Sequence, residues 1–215
     1  MVTYVARNLE PYRGFHSFMR ALPLILKQHP TCQVVIVGGD DVSYGSKPKD
    51  ESNWRSKFLA ENPVDLNRVH FLGKVPYVTY KKVLQVSAVH VYLTYPFVLS
   101  WSLLEAMACG CLIVGSDTAP VREVIRDKEN GMLVDFFKQE EIAERVLQGL
   151  AKPDVFKDLR EAAYITAQRY SIVHGNNHYA QAILANACER YPEPTIRKVS
   201  REMGLPSQGS RQINA

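Results

Sequence analysis

The chain has 215 residues, of which 46% are hydrophobic and 22% charged, and its formal net charge is +4. That composition supports one globular domain of ordinary size with an appendage, and a real buried core. The positive excess is mild and forms no concentrated stripe, which argues against a nucleic-acid binder and leaves a small anion, an anionic membrane surface or plain solvation as its use.

Four cysteines occur, at Cys32, Cys109, Cys111 and Cys188. None has paired CxxC spacing, so zinc is not expected, and they read as small buried hydrophobes of a reducing compartment. The sequence shows no signal peptide and no apolar run of bilayer length. The expectation is a cytoplasmic protein that neither exports itself nor spans a membrane.

Taken in order, strand-like and helix-like stretches alternate. Val2 to Ala6 reads as a short strand, and its start directly after Met1 fits a chain cut from something longer. Phe15, Phe18, Met19, Leu22, Ile25 and Leu26 recur at helical spacing, with Pro23 as a potential kink and Pro30 closing the segment. Gln33 to Val37 is a continuous apolar strand ending in Gly38-Gly39-Asp40-Asp41. A polar loop leads to a predicted helix over 51–62, a strand over 69–72, a helix over 77–86 and a strand over 89–93. Helices follow at 100–108, 120–125 and 139–150, with strands at 112–114 and 132–134 between them. Beyond Pro153 the chain reads as helical, from Val155 to Tyr170 and from Ile172 to Arg190. The final stretch, Tyr191 to Ala215, is expected to be poorly ordered or to pack on an absent domain.

About six strands in such alternation give an α/β fold: an open, doubly wound, mostly parallel sheet with extra C-terminal helices. Ligands of these sheets sit outside the carboxyl ends of the strands. Loops 7–14, 38–47, 73–76 and 94–100 fall there.

The most informative stretch runs from Tyr95 to Cys111. A strand ends, a tight loop follows and a helix starts near Ser100, so its first amides and dipole favour an anion. Glu105, deeper in that helix, reads as a surface glutamate, as half of a packing ion pair, or as the acceptor for two ribose hydroxyls. Arg7 follows the first strand, and Arg13-Gly14 precedes the first long helix. Both arginines read as surface groups or as a grip on phosphate oxygens, to which a guanidinium fork is suited. Gly38-Gly39 makes a turn or a close approach of backbone to ligand, without any GxGxxG fingerprint. The six histidines form no HExxH pair; His16 and His29 read as helix surface, His70 and His90 as strand positions. Ser100-Trp101-Ser102 is no GxSxG elbow, and Ser116-Asp117-Thr118 reads as a turn and cap.

Leu104-Glu105-Ala106-Met107-Ala108 with Gly110, followed by Asp117, Pro120, Glu123 and Asn130-Gly131, resembles the signature of the family-four glycosyltransferases of two-domain GT-B architecture. The resemblance covers about residues 2 to 150 and is specific through its joint motifs. It implies the Rossmann-like, donor-binding C-terminal half of a GT-B fold over residues 1–190, with 191–215 as the tail. One position departs: where the family has a first Glu, eight residues before Glu105, this chain has Phe97. A phenyl ring accepts no hydrogen bond from a sugar hydroxyl, so the amides of 98 to 101 would carry more of the recognition.

The resemblance implies transfer of a sugar, with retention, from a nucleotide donor such as a UDP-hexose to a carbohydrate or lipid-linked acceptor. Arg7 and Arg13 would stabilise the departing phosphate. The donor would touch Arg7, Arg13, Gly38, Leu72, Val75, Phe97, Val98, Leu99, Ser100, Trp101, Leu104 and Glu105. No metal and no cofactor are implied, because the nucleotide sugar is a substrate. An N-terminal domain of similar size would hold the acceptor and any membrane contact, so this chain alone is expected to bind donor without turnover. Two alternatives stay open: a non-catalytic sugar-nucleotide-binding subunit, which Phe97 encourages, and a nicotinamide-dependent dehydrogenase domain, which the missing glycine fingerprint opposes.

Overall fold

The computed structural model describes residues 1–95, 98–188, 198, 201 and 202. Phe97 and nearly all of the stretch from Tyr191 onward lie outside them. The chain divides into two compact units, Met1–Ala167 and Gln168–Ala215.

The first unit is a six-stranded parallel sheet in the order β3-β2-β1-β4-β5-β6. Its strands are β1 (Val2–Asn8), β2 (Val34–Gly39), β3 (Val69–Gly73), β4 (Val89–Tyr92), β5 (Leu112–Ser116) and β6 (Met132–Val134). Between and after them run α1 (Phe15–Gln28), α2 (Trp54–Glu61), α3 (Tyr77–Gln85), α4 (Trp101–Ala108), α5 (Ala119–Arg122), α6 (Gln139–Ala151) and α7 (Lys157–Gln168). The second unit carries α8 (Ile172–Cys188). Among the described residues no helix is long and apolar enough to cross a membrane.

Strand alternation explains the two covered faces. Val34 and Ile36 join Val2, Tyr4, Val89 and Val91 in one cluster with Phe18, Leu22, Ile142 and Val146 of α1 and α6. Their neighbours Val35 and Val37 join Val83 on the opposite face, where Leu84, Leu103, Met107 and Ile113 form a further cluster. The strands of the middle of the sheet are therefore covered on both sides, and the buried polar pair Thr3 and His90 hydrogen-bond to one another at 2.8 Å.

Several boundaries differ from the sequence reading, each for a local reason. The helix expected from Glu51 begins at Trp54, because Asn53 caps it by accepting the Ser56 amide at 2.8 Å. The helix expected over 120–125 is one turn, Ala119–Arg122. It stops where Asn130 takes over the turn: its Oδ1 accepts the Arg126 amide at 2.7 Å and its Nδ2 donates to the Val124 carbonyl at 2.9 Å. Pro23 lies inside α1, which runs on to Gln28. His16 is not helix surface; it is half-buried, with its ring 5.5 Å from that of Phe136 and 6.1 Å from that of Phe58, and burial pulls its pKa down to about 4. Cys32 and Cys111 are buried thiols, as expected, and burial pushes Cys111 up to about 12.

Between β1 and β4 the order of connection reverses, since β2 and β3 lie on one side and β5 and β6 on the other. Thr3 pairs with His90 and Tyr4 with Val91 across this junction. The loops that leave β1 and β4 therefore lead to opposite halves of the sheet, and the carboxyl edge at this reversal is the position where such sheets bind ligands.

Candidate functional site

Construction of the crevice starts from the core. Tyr4 of β1 is buried, stacked on Phe18 at 5.0 Å, and its hydroxyl donates to the Arg13 carbonyl at 2.6 Å. Pro11–Arg13 forms a short 3-10 turn, closed by Gly14 at φ 72°. Only glycine suits that place: a Cβ on Gly14 would lie 2.2 Å from Leu93 Cβ. The close approach carries Arg13 across the crevice. Its Nη1 donates to Thr94 Oγ1 and to the Val98 carbonyl, both at 3.0 Å, while its guanidinium carbon stands 5.1 Å from the Tyr44 ring centre. One arginine thus ties together the loops after β1, β2 and β4.

The β4–α4 loop is held from below as well. The buried Tyr92 hydroxyl accepts the Ser100 amide at 2.7 Å, and Ser100 caps α4 by accepting the Ser102 amide. Thr94, fully buried, exchanges two backbone bonds of 3.0 Å with the Ser116 hydroxyl. These contacts fix the loop that leads into α4 beside the Arg13 cation. Positive charge and a helix N-terminus side by side form an anion-binding arrangement.

Glu105 lies one turn further along α4. Its two carboxylate oxygens accept from Tyr77 at 3.0 Å and from Tyr80 at 2.6 Å, both on α3. Each oxygen keeps a further lone pair, so a ligand hydroxyl can be added without breaking either bond. Burial and the neighbouring carboxylate push the Tyr80 hydroxyl far above its ordinary pKa.

The remaining predicted residues are spread along the same edge. Arg7 is exposed near the end of β1, and Leu72 is exposed in β3. Val75, Leu99 and Leu104 are half-buried against the α3–α4 side of the core. Val98 and Trp101 are open to solvent, Trp101 at 75%. Gly38 is roofed by the chain itself: a Cβ there would meet Leu9 Cδ2 at 2.7 Å and the Ala6 carbonyl at 2.8 Å. Phe97 lies outside the described residues.

Sequence reasoning missed Glu10. It is fully buried, and its Oε2 accepts the amides of Ser43, Tyr44 and Gly45, each at 3.2 Å. An acidic residue before a proline in a turn gives no sign of this. Thr94, Tyr77 and Tyr80 also went unread, although Tyr77 and Tyr80 stand at the i, i+3 spacing that puts two side chains on one helix face.

Against known proteins, residues 1–166 match the family described as glycosyl transferases group 1. The phosphatidyl-myo-inositol mannosyltransferase of Mycolicibacterium smegmatis is 32% identical over 138 residues, covering 62% of this chain and 31% of that protein. A glycosyltransferase of Methanocaldococcus jannaschii is 30% identical over 146 residues, covering 66% and 34%. The chain thus spans about a third of these relatives' length. Among solved structures, Anabaena HepE with UDP superposes with a TM-score of 0.73 at 21% identity, over 86% of this chain and 48% of HepE. The C-terminal domain of the group 1 glycosyl transferase LpcC from Francisella tularensis gives 0.67 at 19% identity, over 80% and 86%. With more than half of its length matched, the chain belongs to the glycosyl transferases group 1.

Proposed function

We propose that the chain is the C-terminal, donor-binding half of a retaining glycosyltransferase of the family-four type. It takes a hexose from a nucleotide donor, UDP in the first instance, for a carbohydrate or lipid-linked acceptor. The observation that carries this reading is the fastening of Arg13 to Thr94 and Val98, which sets a cation beside the start of α4 at the reversal point of the sheet. HepE, solved with UDP and with UDP-glucose, supports the choice of nucleotide.

In the reaction, the bond from the sugar's anomeric carbon to the leaving phosphate breaks while the acceptor oxygen bonds on the same face. The acceptor proton passes to the phosphate, so this half supplies no base. Its work is to hold the diphosphate and offset the charge that gathers on the leaving oxygen, through Arg7, Arg13 and the amides entering α4. Glu105 accepts the ribose hydroxyls, and Leu72 and Val75 lie under the base. In this reading residues 1–190 make up the donor domain, and a first domain holds the acceptor. Alone, the chain binds donor and transfers nothing.

Membership of the family sets the dehydrogenase alternative aside. Phe97 in place of a carboxylate favours one second reading, a nucleotide-sugar-binding subunit without catalysis. A thermal-shift screen of UDP-, GDP- and ADP-hexoses with NADH as control tests the proposal. We expect a UDP-hexose to raise the melting temperature and NADH to leave it unchanged; stabilisation by NADH alone contradicts it. Supplying the first domain and finding no transfer with any donor favours the second reading.

A further inference from the structure

Both sides of the contact between Arg13 and Tyr44 hang from one residue. The Arg13 amide donates to the Glu10 carbonyl at 3.2 Å, and the amides of Ser43, Tyr44 and Gly45 donate to Glu10 Oε2, each at 3.2 Å. In turn Arg13 Nη2 donates to the Tyr44 hydroxyl at 3.4 Å, with the guanidinium carbon 5.1 Å from the ring centre. We propose that Glu10 is a positioning residue of the phosphate grip: it seats Tyr44, and Tyr44 sets the direction of the Arg13 guanidinium. The inference rests on the donor reading above and deepens it by naming what governs the strength of that grip.

Glu10 is a poor choice for stability alone. It is fully buried, and its Oε1 has no hydrogen-bond partner among the described residues. Taking a carboxylate out of water is costly, the more so with one oxygen unpaired, and an apolar side chain of similar size often serves a fold as well. What the carboxylate adds is convergence. Three successive amides turned toward one anion form a nest, and a bond to a charged acceptor is stronger than one to a neutral oxygen. A loop tied to one point by three amides in a row has its backbone direction fixed, and with it the stem of Tyr44.

Further ties of this loop come from the same stretch of chain. Asn8 Nδ2 donates to Ser43 Oγ at 2.7 Å, and the Leu9 amide donates to the Gly39 carbonyl at 2.8 Å. Gly45 fits against the Tyr12 ring, where a Cβ would lie 3.3 Å away. The loop after β2 is therefore registered on residues 8–12, the segment that leads directly into Arg13.

An arginine side chain has several rotatable bonds, and whatever orders it before the ligand arrives lowers the entropy lost on binding. Nη1 is held by Thr94 and Val98 and Nη2 by Tyr44, so the plane of the fork is set from two sides. Release of the Tyr44 side frees that plane. The loss then falls on phosphate binding and not on the nucleoside.

Calorimetry with UDP, beside an NMR titration with uridine, tests the proposal on the full chain. We expect Glu10→Ala to weaken UDP binding about tenfold and to leave uridine within about twofold. Glu10→Gln, which keeps an oxygen for the amides, should return UDP affinity to within about threefold of the unaltered protein. Tyr44→Ala leaves the Glu10 bonds in place and should weaken UDP binding to a similar degree as Glu10→Ala. The two substitutions together should cost no more than the larger single loss. Circular dichroism checks that each variant is folded. Unchanged UDP affinity in folded Glu10→Ala overturns the proposal, as does an equal loss for uridine, the mark of a merely structural residue. Losses that multiply in the double variant overturn it too. Should Glu10→Ala not fold, Tyr44→Ala decides, since UDP affinity unmoved by it contradicts the link. In all these outcomes UDP binds the unaltered chain and the donor reading stands; an unaltered chain that binds no UDP sinks that reading, and the inference with it.

Discussion

Gly14 and Leu93 meet so closely that a methyl group on Gly14 would overlap the Leu93 Cβ, and this contact seats Arg13 across the crevice. A side chain here meets two obstacles, the left-handed backbone and the filled space. Gly14→Ala should destabilise the protein by roughly 2–5 kcal/mol, read from urea unfolding. The loss in nucleotide affinity should accompany it even where the fold survives, because Arg13 moves.

Arg13 braces the β4–α4 loop through two bonds from Nη1 while Nη2 donates to the Tyr44 hydroxyl at 3.4 Å, a planar fork that a single ammonium nitrogen does not reproduce. Arg13→Ala should weaken UDP binding by roughly 1–3 kcal/mol in calorimetry. Arg13→Lys should recover only part of this. Full recovery by lysine would mean that charge alone matters and that the brace to Thr94 and Val98 is incidental.

Glu105 is expected to lose its ligand role before its structural one. Glu105→Ala should cost roughly 1–3 kcal/mol of UDP affinity, while Tyr77→Phe, at the exposed partner, should change it much less. A Tyr77→Phe variant as impaired as Glu105→Ala would show that the tyrosine pair orients the carboxylate.

His90 gives the protein a sensitivity to acid. It is buried at the β1–β4 junction with Nδ1 2.8 Å from Thr3 Oγ1, and burial holds its pKa down to about 4. The unfolded chain takes up a proton near pH 6.5, whereas the folded chain refuses it until about pH 4. Stability is therefore whole above pH 6.5 and falls as the pH drops through this window, by about 3 kcal/mol at most for His90. Half-buried His16 acts in the same direction. Urea unfolding at pH 7 and pH 5 should show the drop, and His90→Gln should reduce it to the part that His16 contributes.

The sheet was largely legible because parallel strands covered on both faces are apolar throughout, and Val34–Val37 and Leu112–Val114 carry that signal locally. Strand order was not, since it depends on pairings such as Thr3 with His90 that join residues far apart in sequence. The candidate site was legible as far as the loops that compose it: Arg13 and Ser100 stand out because charge and helix starts leave local marks. Glu10 was hidden, because burial of a carboxylate becomes visible only once the 43–45 amides arrive from the loop after β2. His16 was misread for the same reason, its aromatic neighbours Phe58 and Phe136 being supplied from elsewhere in the chain.

Everything proposed for this protein depends on a diphosphate lodging between the loops that leave the first and fourth strands. A crystal soaked in UDP-glucose reads this directly. We expect density for the two phosphates beside the Arg13 guanidinium and the opening turn at Trp101, with the ribose toward Glu105. Sugar nucleotide bound elsewhere on the molecule, with that crevice vacant, would contradict it.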